Sequence, residues 1–577
     1  MVFEQKVLEH LRVIYDRDTA EALVDRIKGL LEEYEFRVLE KQDYYPSWSE
    51  QDAILIAYAD VINQNGHTKH KIRFLDDFLG RYLDDAVNSV HILPFFPSSS
   101  DEGFSVIDYK QVREDLGEWS DVEHLAGKYR LMADLVINHT SRFSEWFENY
   151  QMRKEPGKDY FIEIDPTVNL SQVIRPRSSP LYTAVETSNG LCHVWTTFSD
   201  DQIDLDFSNP EVLLEFIDIF LFYLSKGIRL IRLDAIAYLW KEIGTTSIHL
   251  EKTHHVVKLF RDIVDHIDTD AVLLTETNVP FEENVSYFGE GDEAHMIYQF
   301  SLPPLLLHAL LTENSQYLAE WAGELPEPPE GCTYFNFTAS HDGIGVRPLE
   351  GLVPEDEFDY LMESTKERGG FVSYKTNSDG TQSPYELNIT YFDAFSEPGR
   401  EETELQMKRY LCSQIIMLSL QGVPGIYFQN LVASNNYIAG VLKKGEKRSI
   451  NRKKWSYEEL ISRVEDESDP AHIVLNFYKK ALNIRKEHPA FNPEAEQEVL
   501  DLGSDLFAFT RTAVRQEEEI LIISNIAGKQ VRVPGADLSS FTGTKEQKEV
   551  TDLLKGEVRS VSPELILEPF ETVWLSR

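Results

Sequence analysis

Short apolar runs of strand length recur along the first three quarters of this chain, separated by longer amphipathic stretches. That alternation constrains the fold more than any other feature, because it is the pattern of β/α units wound around a parallel sheet. The runs are Ala53–Val61, Ser89–Phe96, Arg130–Asn138, Ile228–Ala235, Ala271–Asn278, His295–Leu302, Thr333–His341 and Val423–Gln429. Eight of them fit an α/β fold, a (β/α)8 TIM barrel over residues 51–139 and 211–490, whose strand ends at the C-terminal face carry the chemistry.

The remaining segments read as additions to that barrel. Residues 1–50 are charged and helical in pattern, ending at Tyr44-Tyr45-Pro46-Ser47-Trp48. Residues 140–210 have no clear helix period and contain Arg175-Pro-Arg177 and Gly190, which suggests an inserted domain. Residues 343–400, with Gly369-Gly370 and Asp379-Gly380, form a second long insertion. Barrel loops of such length usually shape an active site. From residue 491 the pattern turns to alternating strands such as Leu506–Thr512, Glu519–Ser524 and Thr572–Leu575, the mark of a closing all-β domain over 491–577.

Charge and composition exclude several functions. The chain carries 56 Lys and Arg against 98 Asp and Glu, a net charge of −42. Nucleic-acid binding needs a basic footprint, and docking on anionic lipid needs one too, so neither partner is expected. The acidic excess suits solubility, or adaptation to salt, where screening weakens self-repulsion. Cys192, Cys332 and Cys412 are odd in number and widely spaced, which gives neither a disulfide framework nor a metal ladder. The apolar stretch Leu213–Leu224 is broken by Glu215 and Asp218 and reads as an amphipathic barrel helix rather than a membrane span. With no basic-then-apolar leader after Met1, a cytoplasmic protein is expected.

Polar residues stand at four strand ends where a buried sheet would otherwise be apolar: Asp134 to Asn138-His139, Arg232 to Asp234, Thr275-Glu276-Thr277-Asn278, and Ser340-His341-Asp342. One carboxylate at a strand end is usually a cap or a solvated turn, whereas four converging on one barrel face point to catalysis. Strand alternation refines this. Arg232 and Asp234 share a face, so the guanidinium is expected to hold Asp234 ionised as a nucleophile requires, while Arg229 has the opposite parity and is structural. Glu276 follows the apolar Val272-Leu-Leu274, surroundings that favour a raised pKa and a general acid.

These motifs, in this order on successive strands, resemble the α-amylase superfamily of retaining α-glucoside enzymes. The resemblance implies Asp234 as nucleophile, Glu276 as acid/base, and Asp342 as a transition-state stabiliser gripping the sugar hydroxyls. His139 and His341 look like hydroxyl binders and Asp134 like a structural partner. A narrower resemblance, to the sucrose-phosphorylase group, rests on several segments. They are His91-Ile-Leu-Pro-Phe-Phe96, Asp101-Glu-Gly-Phe104, Ile174-Arg-Pro-Arg177, Trp195-Thr-Thr-Phe198-Ser-Asp-Asp-Gln202, His341-Asp-Gly-Ile-Gly345 and Arg448-Ser-Ile-Asn-Arg452. It implies that Asp101 contacts the glucosyl unit, Phe104 and Phe198 wall the pocket, Gln202 lies near the nucleophile, and Arg448, or the nearby Arg452, binds glucose. Arg232 joins this substrate-binding set.

A phosphorylase brings inorganic phosphate into a site crowded with carboxylates, so it needs fixed cations. Arg177, with Arg175 across the intervening proline, is the expected anion pair. The reactants are then a small α-glucoside and phosphate, with no cofactor and no metal. The helical extension, the Thr275–Pro280 stretch and the loop Tyr374–Asn388 look more like relatives acting on sucrose 6′-phosphate, glucosylglycerate or glucosylglycerol. That loop offers Lys375 as its cation, with neutral Gln382 and Ser383 near the turn and no histidine, which disfavours a phosphorylated acceptor. Glucosides of glycerol or glycerate lead on this reading, ahead of sucrose phosphorolysis and plain α-glucosidase action.

Overall fold

The computed structural model describes residues 2–577 apart from 37–47, 65, 67–69, 84, 268, 378, 400–402, 516 and 543–548. Of the expected end of the helical segment, Tyr44 to Ser47 lie outside the described residues.

All eight apolar runs enter one closed parallel barrel in chain order. Its strands are β1 (Ile54–Ala57), β2 (Ser89–Ile92), β3 (Arg130–Val136), β4 (Ile228–Asp234), β5 (Val272–Thr275), β6 (Met296–Tyr298), β7 (Thr333–Phe337) and β8 (Val423–Tyr427). β8 pairs back onto β1, with Ile54 opposite Gly425, so no edge is left open. Each strand is shorter than its apolar run. β5 stops at Thr275, one residue before Glu276, and β7 stops at Phe337, well before His341 and Asp342. Glu276, His341 and Asp342 thus lie past the ladder at the barrel mouth, whereas Asp134, Arg232 and Asp234 stay within it.

Register sets the first contacts of the site. β3 and β4 place Asp134 opposite Arg232 and Val136 opposite Asp234, while β5 places Leu274 opposite Arg232. The run Leu213–Leu224 lies within the barrel helix Pro210–Ser225, which Asn209 caps by accepting from the Glu211 N–H and which has proline in its first turn. Two helices, Val2–Ile14 and Arg17–Glu33, precede the barrel. They bury Leu11, Ile14, Leu23 and Ile27 and lie against helices Glu251–His266 and Pro210–Ser225.

Two insertions overhang the mouth. The first holds helix Glu145–Met152, the hairpin Tyr182–Thr187/Gly190–Trp195, and the strand pair His139–Ser141/Gln202–Asp204, which carries the chain back to the barrel. The second holds helix Glu355–Glu367 and a small sheet in which Gln382–Asn388 lies between Ile344–Gly345 and Phe371–Thr376. Beyond the barrel, an antiparallel sheet of six strands encloses a separate apolar cluster around Leu521, Ile523, Val573 and Leu575. It is tied to the barrel where Trp574 Nε1 donates to Ser419 Oγ at 2.7 Å and Arg511 to the Ser419 carbonyl at 2.9 Å. Among the described residues no helix is long and apolar enough to cross a membrane.

Candidate active site

The floor of the barrel mouth is one buried guanidinium. Arg232 Nη1 donates to Asp134 Oδ1 at 2.5 Å and to Asp234 Oδ1 at 2.6 Å, and Nη2 stands 4.0 Å from Glu276 Oε2. Its Nε donates to the Tyr298 hydroxyl at 3.1 Å. His91 Nε2 donates to the other oxygen of Asp134 at 2.8 Å. Burial works against the charge on Asp134, yet His91 and Arg232 outweigh it and hold the carboxyl down to about 2. Asp134 is thus a permanent anion that fixes Arg232 from below.

Asp234 and Glu276 are linked through the backbone. The residue after Asp234, Ala235, takes a left-handed φ of 52° and donates its N–H to Glu276 Oε2 at 3.0 Å. A non-glycine residue in that region carries strain, which the barrel here uses to turn one carboxylate toward the other. Burial is the largest influence on both groups and pushes both carboxyls up. Arg232 opposes it at each, while Glu276 raises Asp234 and Asp342 raises Glu276. The expectation that Arg232 holds Asp234 ionised therefore needs correction, because burial outweighs the guanidinium. Asp234 and Glu276 share one guanidinium with the anionic Asp134, and the pair retains a proton above the ordinary carboxylate range. Of the two, Asp234 makes the closer ion pair with Arg232, at 2.6 Å against 4.0 Å for Glu276.

Above this floor lies a cavity of about 50 Å³ that opens into a vestibule of about 360 Å³. Of the residues expected at the site, the cavity brings together Asp234, Glu276, Asp342, Asp101, Phe104, His139, Phe198, Gln202, His341, Arg448 and Arg177. A larger groove of about 1020 Å³ by Asp60 and Trp119 contains none of them. Two expected residues are absent from the lining. Arg232 lies beneath the cavity and serves the carboxylates instead of facing a ligand. Arg175 does not share an anion position with Arg177; its Nη2 donates to the Ser179 carbonyl and so holds the loop together.

The residues expected on the glucose side are mutually braced. Phe104 and His341 stack with centroids 4.5 Å apart, and burial pushes the His341 imidazole well below its usual range, leaving it neutral. His139 is also held neutral by burial, and its Nε2 donates to the Phe104 carbonyl at 2.9 Å. Asp101 and Glu102 both adopt left-handed φ, near 50°, ahead of Gly103, where a Cβ would lie 2.6 Å from the Pro94 carbonyl oxygen. The sequence left open which of Arg448 and Arg452 faces the cavity, and the structure separates them. Arg448 lines the cavity and contacts Asp342 Oδ1 at 2.5 Å, whereas Arg452 lies behind it, donating to the His341 carbonyl at 2.8 Å and Asp101 Oδ1 at 3.1 Å. Burial pushes the Asp342 carboxyl up, and Arg448 and Arg452 more than reverse that, so it stays an anion.

Arg177 differs from the other cavity arginines. Its guanidinium centre lies 5.7 Å from the Phe198 ring centroid and 5.2 Å from that of Tyr385, and it makes one long contact, 3.4 Å, to the Pro176 carbonyl. Among the described residues no carboxylate is within ion-pair distance of it. Lys375 is turned away from the cavity toward Glu350, at 3.5 Å. The buried Lys241 ammonium joins the first insertion to the barrel, contacting Asn138 Oδ1 at 2.6 Å and Asp204 Oδ2 at 2.7 Å.

Sequence reasoning overlooked Tyr238, Thr277, Asn278 and Tyr385 in the cavity lining, and Glu386 in the vestibule. Asn278 and Thr277 lay in a motif already singled out. Tyr385 and Glu386 gave only the weaker signal of sitting in an unusual loop, whose fold decides which of its residues face inward.

Comparisons with known proteins agree with this geometry. A family model for the α-amylase catalytic domain matches residues 81–322. Glucosylglycerate phosphorylase of Spirochaeta thermophila is 44% identical over 526 residues, covering 90% of this chain and 89% of that protein. The Escherichia coli protein of the same name is 40% identical, covering 99% and 100%. Glucosylglycerol phosphorylase of Marinobacter adhaerens is 28% identical, covering 77% and 88%. Among solved structures, sucrose 6F-phosphate phosphorylase from Thermoanaerobacter thermosaccharolyticum superposes with a TM-score of 0.71 at 26% identity, covering 82% of this chain and 94% of that one.

Proposed function

We propose that this chain, which belongs to the α-amylase superfamily and within it to the sucrose-phosphorylase-like group, is a retaining glucosylglycerate phosphorylase. The choice of acceptor rests on the relatives bearing that name, which match at 40–44% identity over nearly the whole chain. Glycerol, level with glycerate on the loop sequence alone, is less supported, since its namesake is 28% identical. Arg177 adds a physical reason: a guanidinium without a carboxylate partner at the cavity rim suits an anionic acceptor and an anionic nucleophile alike.

The reaction runs in two displacements. Glu276 gives its proton to the glycosidic oxygen as that bond breaks, and Asp234 Oδ attacks the anomeric carbon, forming a β-glucosyl ester and releasing glycerate. Phosphate then enters against Arg177 and loses a proton to Glu276, and its oxygen displaces Asp234. The product is α-glucose 1-phosphate, with configuration retained after two inversions. Asp342 and Arg448 hold sugar hydroxyls, and the stacked Phe104–His341 pair forms an apolar wall. The fixed anions around the anomeric centre stabilise the positive charge that develops there in each transition state.

The test runs the reaction in reverse. α-Glucose 1-phosphate is supplied with glycerate, glycerol, fructose or fructose 6-phosphate, and phosphate release is measured above an acceptor-free blank. Release with glycerate about tenfold or more above every other acceptor is expected, since a site built to pair a carboxylate rejects an analogue lacking it. Equal or faster release with glycerol or fructose overturns the acceptor. Free glucose with no acceptor dependence overturns the phosphorylase.

A further inference from the structure

The two displacements leave one buried carboxylate at the site without a task. Glu386, on strand Gln382–Asn388 of the second insertion, is 2% exposed. Burying a carboxylate is costly unless it is paired and hydrogen-bonded, and here both oxygens are. Oε1 accepts from the Gly343 N–H at 2.7 Å, from Asn388 Nδ2 at 2.6 Å and from Arg448 Nε at 3.0 Å, and Oε2 accepts from Arg448 Nη2 at 2.7 Å. Burial pushes this carboxyl up, but Arg448 holds it below its ordinary range, so it is charged.

These contacts converge on Asp342 from two sides. The Nε/Nη2 edge of Arg448 is taken by Glu386, which fixes the guanidinium plane and leaves Nη1 in ion-pair contact with Asp342 Oδ1, 2.5 Å away. The Gly343 N–H belongs to the peptide that immediately follows Asp342, so the same carboxylate also anchors the backbone there. Only glycine permits this, because a Cβ at position 343 would lie 2.5 Å from Glu386 Cγ.

Resting on the reading of Asp342 and Arg448 given above, we infer that Glu386 is a positioning residue for glucosyl transfer: it sets the Asp342–Arg448 pair through the guanidinium and through Gly343. The second insertion thereby supplies a support of the glucose subsite as well as a wall for the acceptor. Its effect is exerted before the acceptor matters, on formation of the glucosyl enzyme.

The test uses the full-length protein and α-glucosyl fluoride, a donor whose leaving group needs no acceptor subsite. Glu386→Gln keeps size but cannot accept two bonds from Arg448, and kcat/KM is expected to fall about tenfold or more, as displacements near 1 Å can cost up to 10²-fold. The same factor is expected with the natural glucoside as donor. Combined with Arg448→Met, the Gln substitution should cost less than about twofold further, because its main route of action is gone. Multiplicative losses in that double-mutant cycle, or a loss confined to steps involving phosphate or glycerate, overturn the inference. Should Glu386→Gln fail to fold, Glu386→Asp keeps the charge while withdrawing it by one methylene, and the same cycle applies. A wild-type protein that does not turn over α-glucosyl fluoride instead refutes the proposed function itself.

Discussion

Replacing Arg177 by methionine tests the anion site most directly. The native guanidinium makes one 3.4 Å contact to a carbonyl and stacks on two rings. Methionine preserves the apolar stacking surface, so stability should change by less than about 1 kcal/mol. The function lost is a charge-assisted contact to phosphate, and hydrogen bonds to charged groups contribute about 1.5–3 kcal/mol each. At about 1.4 kcal/mol per tenfold, one such bond corresponds to roughly a 10- to 150-fold rise in phosphate KM, and a bidentate contact to more. Lysine keeps the charge without the fork and should fall between. Phosphorolysis is followed by release of α-glucose 1-phosphate against phosphate concentration, and glucosyl-enzyme formation by fluoride release from α-glucosyl fluoride. The expected split is a large rise in phosphate KM with fluoride release within about threefold of wild type. Glycerate KM in the reverse direction should rise in parallel. An unchanged phosphate KM, or equal losses in both assays, refutes the assignment of Arg177 as the anion contact.

Other consequences follow from the same geometry. Asp234→Asn removes the attacking oxygen and should lower turnover by roughly a thousandfold or more, and substantial residual activity in a sequence-verified preparation would contradict the nucleophile. Because burial pushes both Asp234 and Glu276 up, the singly protonated pair is the active form. Activity should be lost as pH rises through the loss of that shared proton, above the ordinary carboxylate value, and at lower pH as the second proton binds; Glu276→Gln should abolish the alkaline limb. Lys241→Met strands Asp204 in the interior and should cost about 3–5 kcal/mol, read as a lower Tm, whereas an unchanged Tm would mean that the ammonium does not join the insertion to the barrel. With a net charge of −42, moderate salt should lower the apparent phosphate KM by screening repulsion, and a KM that only rises from low to moderate salt would argue against electrostatic exclusion.

The sequence by itself determined the barrel and its chemical face. Eight apolar runs correspond one to one with β1–β8 because a strand buried on both sides must be apolar throughout, which leaves a legible signature. The carboxylates at the strand ends were legible for the complementary reason, since a polar residue where the pattern demands an apolar one stands out. Parity within β4 correctly put Arg232 beside Asp234.

Tertiary structure decided what depends on long-range approach. Parity could not show that Glu276 lies near the same guanidinium, nor that burial pushes the Asp234 carboxyl up against the pull of Arg232. It could not separate Arg175 from Arg177, whose difference is which way a loop turns each guanidinium, nor Arg448 from Arg452, which sit at different depths. Glu386 was invisible for the same reason. Its 43-residue separation from Gly343 and 62-residue separation from Arg448 are closed only by the fold. Local pattern identifies residues whose neighbours in sequence constrain them, whereas a loop side chain takes its role from partners that only packing brings within hydrogen-bond distance.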